Sequence, residues 1–110
     1  MAPLLQSATT PSDGPAVVTM RGDLDSDTAA QFWQYLGYLI GQGHQHIVLD
    51  LRGIILIDSV GVDVITRAFA WTRHRGGELV VRSASPSVAE RLKLARLAQA
   101  RKSHPSQAGG

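Results

Sequence analysis

Apolar positions along the chain alternate between a short β-branched rhythm and a helical one. Ala16 to Gly22, "AVVTMRG", is β-branched and stopped by glycine, which predicts a strand. The next stretch, "DLDSDTAAQFWQYLGYLIGQG", has an acidic start and then helical spacing. At about 100° per residue, Ala29, Phe32, Trp33, Leu36, Leu39 and Ile40 fall on one arc. Asp25 or Ser26 is placed to cap the free N–H groups and Asp27 to complement the dipole, while Gly41 and Gly43 end the helix. "HIVLDL" (His46 to Leu51) is a nearly unbroken apolar run, which predicts a strand covered on both faces or nearly so.

After one further apolar run, a helix is expected from about Val60 to Arg75. Val60, Val62, Val64, Ile65, Ala68, Phe69, Trp71 and Thr72 fill roughly half its circumference. Asp63, Thr66, Arg67, Arg73 and His74 take the opposite face, with Asp63 and Arg67 at ion-pairing i,i+4 spacing. "RGG" closes this helix and "ELVVRS" predicts a third strand. A last helix starts near Pro86, where Ser87-x-x-Glu90 can form a capping box. Strands alternating with helices through short connections argue an α/β domain with adjacent parallel strands and helices mainly on one side. Residues 1–15 read as a flexible N-terminal segment, to which Leu4-Leu5 could add a short edge strand. The domain is expected over 16–100, and residues 101–110 form a disordered tail.

Composition narrows the classes. At 110 residues the chain holds one core, and its 44% hydrophobic content opposes wholesale disorder. Cysteine is absent, which removes disulfides and thiolate metal sites and suits a reducing cytoplasm. No signal peptide is visible in residues 1–10, and the apolar run over 47–57 is interrupted by Asp50 and Arg52. A soluble, cytoplasmic protein with no membrane partner is expected. The net charge of +2 reflects Arg91, Lys93, Arg96, Arg101 and Lys102 crowding near the C-terminus without interleaved aromatics. That reads as a solvated helix, with no direct nucleic-acid contact.

Enzyme readings find little support. A G-x-S-x-G elbow fails because Ile57 precedes Ser59 by two; only Gly61 fits. His44, His46, His74 and His104 lie in turns, helix ends or the tail, and His44-Gln45-His46 lacks the further ligands a metal requires. Neither glycine-rich phosphate cradle occurs. A receiver-like phospho-aspartate site at Asp50 or Asp58 would want an acidic pair and a lysine after the last strand, which the chain lacks. No catalysis, cofactor or metal is therefore expected. What remains is Asp58-Ser59-Val60-Gly61 at a strand-to-helix junction. Asp58 or Ser59 could be an N-cap, and Ser59 could equally be a phosphorylated hydroxyl. A phosphate would add about −1.5 to −2 charges beside Asp58, near Asp23 and Asp25, and change the surface potential without refolding.

The succession "VVTMRGDLDSDTA", "HIVLDLRGIILIDSVGVDVI", "RHRGGELVVRSASPSV" and "AERLKLARL" resembles the STAS family, specifically bacterial anti-sigma-factor antagonists, over residues 16–97. The carrying motifs are G-[DE]-L-D at Gly22 to Asp25 and D-S-x-G-[LV] at Asp58 to Val62. The resemblance implies a small mixed, largely parallel sheet with helices packed mainly on one face. It implies an antagonist that binds an anti-sigma factor, itself a serine kinase of the histidine-kinase-like ATPase type, and is released when Ser59 is phosphorylated and reset by a phosphatase. Asp23, Asp25, Asp58, Ser59, Val60 and Gly61 would form the partner-binding surface, with Gly61 permitting close backbone approach. The protein would be a monomer or weak dimer. A non-phosphorylated STAS scaffold module in a transporter or signalling complex is the alternative. Departures from the family pattern are Val60 in place of a second hydroxyl, Arg96 in place of a glycine, and no counterpart of a final strand and helix after Leu97.

Overall fold

In the computed structural model, which describes residues 2–93, β-branched runs form the strands and arc-patterned segments the helices. Their order is β1 (Leu5–Thr9), β2 (Ala16–Leu24), α1 (Ala29–Gly41), β3 (His46–Ile57), α2 (Ser59–His74) and β4 (Glu78–Ala84). A third helix, α3, occupies 86–93. The sheet runs β1-β2-β3-β4; β1 is antiparallel to β2, and the other two pairings are parallel. The architecture is the expected small, mixed, largely parallel sheet. Arg96 and the tail over 101–110 lie outside the described residues.

Period-two alternation decides which face is covered. Ala16, Val18 and Met20 of β2 and Ile47, Leu49 and Leu51 of β3 enter one buried cluster with Phe32, Leu36 and Leu39 of α1 and Ile65 and Ala68 of α2. Val88 and Leu92 of α3 join it, as does Leu4, just before β1. Trp33 and Trp71 stack between α1 and α2 with centroids 4.5 Å apart. The opposite face carries register rows such as Val17, Val48 and Val80, which are half-buried or exposed. "HIVLDL" is therefore covered by core on one face, not two. Its buried charge, Asp50, is screened on the open face by Arg52 and Arg82, 3.0 and 3.3 Å from the same carboxylate oxygen.

Four local expectations change. Gly22 bends β2 instead of stopping it: at φ 104° it accompanies a register shift, and a Cβ there would lie 1.9 Å from the Pro3 carbonyl oxygen. α1 starts at Ala29, beyond Ser26 and Asp27, because residues 25–28 form a separate turn in which Thr28 N–H and Ala29 N–H both donate to the Asp25 carbonyl. Asp27 is thus outside the first helical turn. On α3 the cap is Ser85, not Ser87: Val88 N–H donates to Ser85 Oγ at 3.4 Å, and Pro86, lacking an N–H, takes the first helical position. Finally, Val60 of the expected apolar face is 42% exposed, since the helix begins beyond the edge of the core.

Candidate functional site

β2 and β3 end side by side, with Leu24 the register partner of Ile57. Parallel neighbours bring their following loops to one edge of the sheet, the usual place for a site in an α/β domain. Asp58 continues β3 in an extended conformation and caps α2, its Oδ1 accepting from Gly61 N–H at 2.8 Å. Asp58 Oδ2 accepts from Ser26 N–H at 3.2 Å, which ties the β2–α1 turn to the start of α2. Asp58 N–H donates to the Leu24 carbonyl at 3.3 Å. Of the two residues that could have capped this helix, the aspartate does so.

That leaves Ser59 free. It is the first residue of α2, it is exposed, and its hydroxyl has no hydrogen-bond partner among the described residues. Gly61 is buried against the tip of β2: a Cβ there would stand 2.2 Å from the Leu24 carbonyl oxygen and 2.9 Å from Ile57 Cγ1. Glycine at 61 thus lets the start of α2 lie against the backbone at the end of β2.

Asp23 and Asp25 lie at the same tip but face inward. Asp23 is 5% exposed and its Oδ2 accepts from Ala2 N–H at 3.0 Å. Asp25 is 9% exposed; its Oδ1 accepts from Asp27 N–H at 3.0 Å and Thr28 N–H at 3.2 Å. These two carboxylates are thus engaged by backbone donors, and they shape the surface more than they form it.

The surface itself is apolar. Ile55, Leu56 and Val60 are 74%, 52% and 42% exposed, three large aliphatic side chains within four positions of Ser59. Ile55 is displaced outward because β3 has a register shift against β2 between Gly22 and Asp23. From Val60 a groove of about 320 Å³ runs between α1 and α2 over Ala29, Trp33 and Val64, bordered by the Asp63–Arg67 ion pair at 3.0 Å. From α3, the Arg91 guanidinium donates to the Ile57 carbonyl, just before the Asp58-Ser59 turn.

Chemically, this arrangement presents a hydroxyl and does not activate it. Both Asp58 oxygens are engaged by N–H groups. His44 and His46 sit at the opposite end of β3, on the order of 30 Å away along a 12-residue strand. Among the described residues, no group of three His, Asp or Glu could hold a metal, and no helix is long and apolar enough to cross a membrane. Sequence reading found the Ser59 turn but not Ser26, Arg91 or the Ile55–Leu56 shoulder. For Ser26 a signal was available, because Asp-Ser occurs at both strand ends.

Comparison with known proteins adds a family and a fold. Residues 7–102 match the family model described as Mlab, STAS domain. An anti-sigma F factor antagonist of Paenibacillus polymyxa is 29% identical over 85 residues, covering 76% of this chain and 73% of the relative. The crystal structure of an anti-sigma factor antagonist from Mycobacterium paratuberculosis superposes with a TM-score of 0.71 at 22% identity, over 88% of this chain and 81% of that one. The Bacillus cell fate determinant SpoIIAA in its phosphorylated form gives a TM-score of 0.69 at 18% identity, over 86% of each chain.

Proposed function

The chain belongs to the STAS domain family, and from that premise we propose that it is an anti-sigma factor antagonist switched off by phosphorylation of Ser59. The unphosphorylated protein docks the tips of β2 and β3 and the start of α2 onto an anti-sigma factor that is also a serine kinase of the histidine-kinase-like ATPase type. The kinase transfers the γ-phosphoryl group of ATP to Ser59 Oγ, the complex separates, and a phosphatase restores the hydroxyl. The reading places the protein in the cytoplasm as a binding partner and substrate, not a catalyst.

One observation carries it: the partnerless, exposed Ser59 hydroxyl lies within four residues of exposed Ile55, Leu56 and Val60, while Asp23 and Asp25 are turned inward and Asp58 is engaged as the cap. Burying an aliphatic side chain at an interface contributes about 1.5–3 kcal/mol. A phosphate brings about −1.5 to −2 charges, and desolvating even one unpaired charge costs several times an aliphatic gain. The charge term wins, so one modification suffices to empty an apolar interface. Asp23, Asp25 and Asp58 act by holding the two turns in place; Ser59 and Val60 touch the partner.

The test is to incubate the protein with ATPase-type serine kinases of its source cell and ATP, then to locate phosphate by mass spectrometry. Phosphate on Ser59, and loss of kinase binding in Ser59→Asp, are expected. No phosphate on Ser59 with any of these kinases overturns the switch. The apolar rim also favours a second reading, a STAS scaffold module held constitutively in a transporter or signalling complex. In that case Ser59→Asp keeps its partner.

A further inference from the structure

We infer that Ser26 is a second phosphoacceptor, presented beside Ser59 to the same kinase; this rests on the reading of Ser59 as a kinase substrate. The chain contains the dipeptide Asp-Ser twice, as Asp25-Ser26 and Asp58-Ser59. Each directly follows the last residue of one of two neighbouring parallel strands, Leu24 of β2 and Ile57 of β3. Because Leu24 and Ile57 are register partners, the two dipeptides emerge side by side.

Their local geometry matches. In each, the aspartate turns toward backbone N–H groups that follow it: Asp25 Oδ1 accepts from Asp27 and Thr28, and Asp58 Oδ1 accepts from Gly61. In each, the serine is exposed and its hydroxyl has no partner among the described residues. A single carboxylate joins the pair, since Asp58 Oδ2 also receives Ser26 N–H at 3.2 Å across 32 residues of sequence. Ser26 is therefore held at the Ser59 turn through its backbone, which leaves its side chain uncommitted. A kinase surface that covers Ser59 also covers Ser26.

The step balances as an ordinary phosphoryl transfer. Ser26 Oγ forms a bond to the γ-phosphorus of ATP, the bond to the ADP oxygen breaks, and the hydroxyl proton passes to the kinase's base. Exposed Asp27 stands beside the new group, so two phosphates would place about −3 to −4 charges on one tip of the sheet. Release would then be graded by the number of phosphates, not set by one.

The experiment uses the full chain, ATP and each ATPase-type serine kinase encoded in the source genome. Wild type, Ser26→Ala, Ser59→Ala and the double variant are incubated and their phosphates mapped by mass spectrometry. Urea denaturation confirms folding; Ser26→Ala retains the backbone bond to Asp58, so its midpoint should be unchanged. Up to two phosphates are expected on wild type, one on each single variant and none on the double variant. Phosphate confined to Ser59 in wild type, with none on Ser26 there or in Ser59→Ala, overturns the inference and leaves the Ser59 reading intact. Phosphate on Ser26 alone overturns the Ser59 reading and, with it, Ser26 as a second acceptor beside Ser59. No phosphate on any form overturns both.

Discussion

Replacing Gly61 by alanine tests how the Ser59 turn is held. The added Cβ would stand 2.2 Å from the Leu24 carbonyl oxygen and 2.9 Å from both the Leu24 carbonyl carbon and Ile57 Cγ1. Two of these three atoms are backbone at the tip of a paired strand and cannot rotate away. Non-bonded carbon contacts favour about 3.5–4.0 Å, so the start of α2 must retreat from β2 by roughly 1 Å. Overpacking of this kind costs about 1–3 kcal/mol. The retreat also stretches the 3.3 Å bond from Asp58 N–H to the same Leu24 oxygen, at a cost of about 1 kcal/mol. Alanine's better helix propensity returns about 1 kcal/mol. The net loss is roughly 1–3 kcal/mol, which for a urea m-value near 1–1.5 kcal/mol/M lowers the denaturation midpoint by roughly 0.7–3 M. Gly41→Ala is the control: it closes α1 and a Cβ there meets no atom within 4 Å. It should be neutral or up to about 1 kcal/mol stabilising. A Gly61→Ala protein as stable as wild type, with Gly41→Ala behaving as expected, would refute close packing as the reason for glycine at 61.

Asp58→Ala should lower stability by about 0.5–2 kcal/mol, the usual worth of an N-cap, read as a lower thermal midpoint; an unchanged midpoint would show that water replaces both of its bonds. Asp50→Asn should alter the acid limb of the stability profile. The Asp50 carboxyl is held below its usual value first by the Arg52 guanidinium and N–H, then by Arg82, against the opposing effect of burial. Its contribution is therefore complete above the unfolded value of 3.8 and is lost as pH falls through the lower folded value. Both arginines are more than half exposed, so the loss at neutral pH should be no more than about 1 kcal/mol. Urea midpoints measured from pH 7 to pH 2 should converge for the two proteins at the acid end; a constant gap would contradict the assignment.

The interior of the elements was legible because it depends on spacing alone. The arc from Ala29 to Leu39 and the alternation of Ala16, Val18 and Met20 need only a period and a polarity to be seen. Element ends were less legible, since they depend on which polar group reaches which N–H. Asp25 captured the donors of a turn, so α1 began later than its acidic residues implied. At α3 a proline beside two serines left two caps formally possible, and the missing N–H of Pro86 selected Ser85.

The functional tip shows the same division. The strand-to-helix junction at Asp58-Ser59, the small neighbour at 61 and the absence of an activating base nearby in sequence are local properties, determined by residue type and order. Only the tertiary structure decided which groups at that tip face solvent. Asp23 and Asp25 read as surface acids, yet Ala2, Asp27 and Thr28 donate to them, because a buried carboxylate is tolerated only where donors satisfy it. Likewise, the apolar run before Asp58 carries exposed Ile55 and Leu56, with Ile55 left unpaired at a register shift. Ser26 and Ser59 became neighbours only through the pairing of Leu24 with Ile57, since parallel register joins residues far apart in sequence and no local pattern encodes it.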